Sequence, residues 1–197
     1  MDLGVWEGVF LQAPLHDGRD TGPRVWLDLH GRRDGARFTG IVRPAVGWDL
    51  SRQTSVYAGY AWVPATVPGE GTAHEHRLWQ QALWTEARGP VSVALRPRLE
   101  QRVAAGVDGV GVRARFMGRV QWDLRDPFAL VASNEVFVGL SDSGFVPAGF
   151  DQNRVFAGPA IRGDDLRVEL GLLGQTLLRE GEWSTVGVVA SNVTVAF

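Results

Sequence analysis

The 197-residue chain contains no cysteine and no lysine. The first absence excludes disulfides and thiolate-based metal or redox centres. The second leaves arginine as the source of every permanent side-chain cation, a planar fork of donors suited to carboxylates. No run of about 20 apolar residues is present to form a membrane helix, and mean hydropathy is near zero. Neither sign of charge dominates: 20 basic and 22 acidic residues leave a formal net charge of −2, which offers no electrostatic basis for a nucleic-acid partner. No linker or low-complexity stretch divides the chain, so one domain over residues 1–197 is expected. The opening MDLGVWEGVF has no basic stretch followed by an apolar core. It reads as the start of a mature form from which a leader has been removed.

What is present is alternation. The dominant hydrophobic period is two, the signature of strands with one apolar face. In Val110–Trp122, one face carries Val110, Val112, Ala114, Phe116, Gly118, Val120 and Trp122, and the other Arg113, Arg115, Met117, Arg119 and Gln121. Leu166–Leu178 sets Leu166, Val168, Leu170 and Leu172 against Arg167, Glu169 and Gln175. Val91–Val103 sets Val91, Val93, Leu95, Leu99 and Val103 against Arg96, Arg98, Glu100 and Arg102. Noisier segments are Val5–Gln12, Val25–Arg32, Ala36–Val46, Ser55–Pro64, His76–Arg88, Phe128–Gly139, Gln152–Ile161 and Thr185–Phe197. Gly- and Pro-containing turns such as RRDG, GVDG, LRDP and SDSG separate them. Asp49–Thr54, Gly89–Pro90, Leu124–Pro127 and Arg162–Asp165 read as tight turns; Pro64–Glu75 and Leu140–Asp151 read as longer loops. These segments predict an all-β, up-and-down antiparallel transmembrane barrel. Roughly eleven are legible, and because such single-chain barrels have even strand numbers, ten or twelve strands are expected.

Periodicity alone does not say which face points inward. Three features favour a membrane barrel over a soluble one: long continuous apolar faces, Arg and Glu stacked on the opposite faces, and aromatics near segment ends at Trp48, Trp62, Trp122, Phe128 and Trp183. The ending SNVTVAF, with Val193 and Val195 alternating up to Phe197, is similar to the closing strand of outer-membrane barrels, which the barrel-assembly machinery reads.

LWQQALW, RPRLEQRV, VASNEVFV and FDQNRVFAGP, with GVWEGVFLQ, RVWLDLHGR and VYAGYAWVP, resemble the bacterial domain of unknown function 2490 family across essentially the whole chain. The resemblance implies an outer-membrane barrel and carries no activity or catalytic residue with it. The expected location is the bacterial outer membrane. The expected partners are outer-membrane lipid and the assembly machinery, with a monomer as the default state because a closed barrel has no free sheet edge.

The chemistry-bearing residues form one candidate constellation, a lumen charge network of Arg96, Arg98, Glu100, Arg102, Arg113, Arg115, Arg119, Glu135, Arg154, Arg167 and Glu169, with Glu86 and Asp123 as further lumen acids. Either these side chains pair and fill the barrel, or they line a narrow diffusion channel for small anionic solutes. Glu135 and Arg154 form a plausible cross-strand pair. His74 and His76 share one strand face but lack a third ligand, so no metal site and no cofactor are expected. Two alternatives stand beside the barrel of structural or channel role. An outer-membrane lipid-modifying enzyme would draw on Ser133 and His76; a soluble lipocalin-like ligand-binding barrel would turn the apolar faces inward.

Overall fold

The computed structural model describes residues 4–16, 20–143, 145–179 and 182–196. Eleven strands are described: β1 (Gly4–Pro14), β2 (Gly22–Asp34), β3 (Arg37–Asp49), β4 (Thr54–Val67), β5 (Gly71–Arg88), β6 (Val91–Ala104), β7 (Gly111–Arg125), β8 (Phe128–Gly139), β9 (Gly149–Arg162), β10 (Leu166–Arg179) and β11 (Glu182–Ala196). Each pairs antiparallel with its sequence neighbours, and β1 and β11 close the sheet into a barrel. The all-β up-and-down architecture is as expected, and eleven lies within the expected range, but the even parity does not hold. In a meander of odd number the first and last strands run the same way. The closure is accordingly parallel, Gly4–Gln12 against Val188–Ala196.

All four tight turns read from the sequence fall on one rim, here called the turn rim. The opposite, loop rim carries the β4–β5 and β8–β9 connections. Gly35 (φ +56°) and Gly89 (φ +57°) adopt left-handed conformations in the short β2–β3 and β5–β6 turns, where a side chain is disfavoured. The expected loop Pro64–Glu75 is mostly strand: β4 runs to Val67 and β5 starts at Gly71. Pairing continues past Pro64, opposite His74, and the Thr66 and Thr72 hydroxyls meet at 2.9 Å beyond it.

The wall is polar inside and apolar outside. Val46 and Leu172 are each 69% exposed on the outer face, whereas Asp28, Glu100 and Glu169 are at most 2% exposed in the lumen. Trp48, Trp122 and Phe128 project outward toward the turn rim, and Trp62 and Trp183 toward the loop rim. On that side Trp183 packs on Phe150 at 5.2 Å between ring centroids, and the Trp62 indole stacks on His74 at 5.9 Å.

Candidate functional site: a charged lumen with a cavity at one end

Strand alternation places every second residue of β2–β10 in the lumen, and all eleven residues of the expected charge network face it. Glu100 lies at the centre. Its carboxylate accepts from Arg113 Nη2 at 2.7 Å and from Arg115 Nη1 at 2.6 Å. Glu135 accepts from Arg115 Nη2 at 2.8 Å and from Arg96 Nη2 at 3.0 Å. Arg98 is turned sideways onto the Gln81 amide oxygen at 2.9 Å and over the Trp79 ring at 4.3 Å. Toward the loop rim, Arg102 and Arg77 both grip Glu75, and Arg113 also reaches Asp151 at 3.1 Å. Toward the turn rim, Arg119 and Arg167 converge on Glu169. Adjacent arginines on β6 and β7, such as Arg98 opposite Arg115, are tolerable because a carboxylate stands between guanidiniums at nearly every level.

Several expectations need correcting. Glu135 and Arg154 are register partners but do not form an ion pair. Glu135 is already engaged by Arg96 and Arg115, and Arg154 lies over Phe137 at 4.5 Å and over Trp6 at 4.7 Å. With the Gln152 amide oxygen turned toward it, Arg154 also donates there, and Gln175 Nε2 does so at 2.9 Å. Glu86 is on the outer face beside Arg88. Asp123 sits at the rim with Arg162 at 2.8 Å. His74 and His76 project outward, where the Tyr60 hydroxyl meets His76 Nδ1 at 2.5 Å and the Trp62 indole donates to His74 Nδ1 at 3.3 Å. Among the described residues no cluster of three metal-ligand side chains exists. Ser133 faces the lumen and His76 faces outward, so the wall separates the pair that a hydrolase would need. Phe197 lies outside the described residues.

Sequence reading missed the aromatic and apolar share of the lumen. Phe137 receives three guanidiniums, from Arg113, Arg115 and Arg154, at 4.5–5.0 Å. Arg32 and Arg154 both lie over Trp6, at 4.4 and 4.7 Å. An alternation of cation and ring thus runs from β7 through β8 and β9 to β1 and β2. A buried cluster of Trp26, Ile41, Tyr57, Ala61, Val63 and Trp79 fills the adjoining wall. Asp28 with Arg43 at 3.3 Å was also missed. The signal was available: Phe137 shares parity with Glu135, and Trp26 and Asp28 share parity with Arg32 on β2.

The two halves of the lumen differ. At the loop rim the β8–β9 connection folds into the mouth. Ser141 Oγ accepts from Val112 N at 2.7 Å, Val146 is fully buried, and Phe145 lies 5.6 Å from the Arg102 guanidinium. Gly111 and Gly139 make room: a Cβ at Gly111 would strike Val146, and one at Gly139 would strike the Pro147 carbonyl. At the turn rim lies a cavity of about 490 Å³, entered past Gln12, Thr85 and the Arg162–Arg167 turn. Its apolar surface comes chiefly from Trp6, Phe10, Trp26, Leu83, Phe156 and Leu173, and its charge is mixed: Arg32, Arg154 and the ion-paired Arg43–Asp28, Arg96–Glu135 and Arg119–Glu169 all border it.

Fold and lumen together define the class: a closed up-and-down β-barrel, inverted relative to a soluble one, with a charge-paired interior. Within that class the chain belongs to the family described as Protein of unknown function (DUF2490), whose model matches residues 3–186. An uncharacterised protein of Methylorubrum extorquens is 36% identical over 143 residues, covering 69% of this chain. The match spans 62% of that relative's length. No solved structure matches the chain.

Proposed function

We propose that the protein is an integral β-barrel of the bacterial outer membrane, with a lumen stoppered by its own side chains and a cup open at the turn rim. One observation carries the reading: the wall buries Arg and Glu and presents Val, Leu, Phe and Trp outward, which is the polarity that lipid requires and water opposes. Dimensions agree. Outward Phe38 and Trp48 are ten residues apart on β3, which at the usual rise and barrel tilt spans roughly 25 Å, the height of an outer-membrane apolar band. Outer-face amides are paired with each other, Gln80 with Gln101 and Asn134 with Asn153, so they satisfy themselves without water.

Of the structural and channel forms of this role, the buried network favours the structural one. Arg98, Glu100, Arg113, Arg115, Trp79 and Phe137 are all at most 6% exposed, which puts a packed layer between cup and loop rim. The longest connection, β8–β9, lies on the loop rim, and the longer loops of outer-membrane barrels are extracellular, so the cup opens to the periplasmic side. Outer-membrane lipid is the proposed surrounding partner. β11, with Val193 and Val195 outward, is the proposed segment recognised by the assembly machinery, and a monomer is the proposed state.

Reconstitution into vesicles tests insertion, because outward Trp48, Trp122 and Trp183 should be quenched by brominated lipid; unquenched emission would place the barrel in water. Planar-bilayer recording tests closure. The expected result is no steady conductance. A stable anion-selective current, lost in an Arg113→Ser/Arg115→Ser/Arg119→Ser variant, would establish the diffusion channel instead.

A further inference from the structure

The cup has a cationic floor with no counter-charge of its own. Every other buried or half-buried lumen arginine among the described residues has a carboxylate within 4.0 Å, but Arg32 and Arg154 form no ion pair. Arg32 makes no hydrogen bond to any described residue, and its Nε is buried without a partner. Arg154 has only the Gln152 amide oxygen and the rings described above. Both guanidiniums lie over the same Trp6 indole, and both border the cavity. Buried charge without a partner is costly, and two like charges sharing one ring compound that cost. Elsewhere each guanidinium has a carboxylate in reach, although Glu75, Glu100, Glu135 and Glu169 each serve two or more, so no spare acid is left to neutralise this floor. Above it two apolar walls face each other, Phe10, Trp26 and Leu83 on one side and Phe156 and Leu173 on the other, with the paired Arg119, Arg167 and Glu169 nearer the turn rim.

We propose that the cup binds an amphiphilic anion, its carboxylate or phosphate head held by Arg32 and Arg154 and its apolar body lying between the two hydrophobic walls toward the turn rim. A guanidinium fork matches either head group bidentately. A volume of about 490 Å³ lies within the usual range of about 300–1,000 Å³ for small-molecule sites, and it accommodates a short acyl or aromatic body. The inference rests on the cup being closed below, as argued above. Conductance tests that closure separately, so a conducting barrel would refute the stopper while the binding assay still reports on the floor.

The test uses purified full-length protein in an uncharged sugar detergent, with octanoate as probe and two controls: octan-1-ol, which has the tail without the charge, and inorganic phosphate, which has charge without a tail. Trp6 and Trp26 line the cup, so tryptophan emission reports occupancy and calorimetry gives stoichiometry. Octanoate should bind saturably at one per chain, at least 10-fold more tightly than either control. Arg32→Gln/Arg154→Gln should weaken it at least 10-fold, while Arg88→Gln, on the outer face, leaves it unchanged. Neither floor residue forms an ion pair, and Glu135 keeps Arg96 and Arg115, so the double variant should retain the folded-barrel gel mobility. Equal binding of octan-1-ol would overturn the ionic floor, and equal binding of phosphate would overturn the apolar body. Absence of octanoate binding, or full binding by a folded double variant, would overturn the proposal as a whole.

Discussion

Glu100 is the residue on which the lumen network turns. It holds Arg113 and Arg115 directly and lies 3.8 Å from Arg98. Glu100→Gln keeps the shape and removes the charge, taking one counter-ion from four buried guanidiniums, those of Arg77, Arg98, Arg113 and Arg115. Breaking a buried ion pair from one side costs about 3–5 kcal/mol, and urea unfolding in lipid vesicles should show a loss of that size. A loss below about 1 kcal/mol would mean that water, and not Glu100, neutralises these arginines. Arg32→Gln should behave oppositely. It removes a buried cation with no acid partner, whose cost opposes a cation–π contact worth about 2 kcal/mol when desolvated, so stability on the same unfolding curves should hold or rise, and a loss as large as that of Glu100→Gln would contradict this. The charged half of this network was legible in the sequence because period-two alternation puts Arg113, Arg115 and Arg119 on one face, whatever the neighbouring strands do. The partner of each charge was not legible. Arg154 sits opposite Glu135 in register, yet a guanidinium at the end of a long side chain settles on Phe137 and Trp6, and only the assembled lumen decides that competition.

Among the strands, β10 states the inversion most plainly, with Leu166, Val168, Leu170 and Leu172 outward and Arg167 and Glu169 inward. Leu172→Arg places a charge in the proposed apolar band and should cost about 2–4 kcal/mol in lipid; no change in urea midpoint would remove lipid from that face. The β8–β9 connection makes a second prediction. Its entry into the mouth depends on Gly111 and Gly139 having no side chain, so Gly139→Leu should expel the loop. The expected readout is a new protease cleavage between Leu140 and Ala148 with the barrel otherwise intact, and persistent resistance would mean that the loop has another seat. Most strands were legible within a few residues, because each alternates by itself. Two features were not. Asp151 is an extra residue at the register shift between β8 and β9, which turns Phe150 outward beside Trp183 and Asp151 inward to Arg113. The β4–β5 hairpin extends past Pro64 although its Gly, Pro and Thr content reads as loop.

For the molecule as a whole, the odd strand number has one structural consequence, the parallel seam between β1 and β11. Strand parity is a property of the closed ring and not of any segment. Eleven alternating stretches are countable in the sequence, but antiparallel closure demands an even number, and no single stretch signals a parallel seam. The same ring explains how one end can be stoppered while the other keeps a cavity. The Arg98, Glu100, Arg113 and Arg115 layer and the β8–β9 loop close the loop-rim half, whereas smaller or apolar side chains such as Ala190, Leu173 and Leu83, together with the Arg119–Glu169 pair, line the half that keeps the cavity. The central claim is that this closed, inverted barrel lives in a membrane. The most direct measurement is expression behind an export signal, followed by membrane fractionation and comparison of unheated with boiled samples on SDS gels. The protein should appear in the outer-membrane fraction, with an unheated band that migrates apart from the boiled one. A freely soluble protein with a single band under both conditions would contradict it.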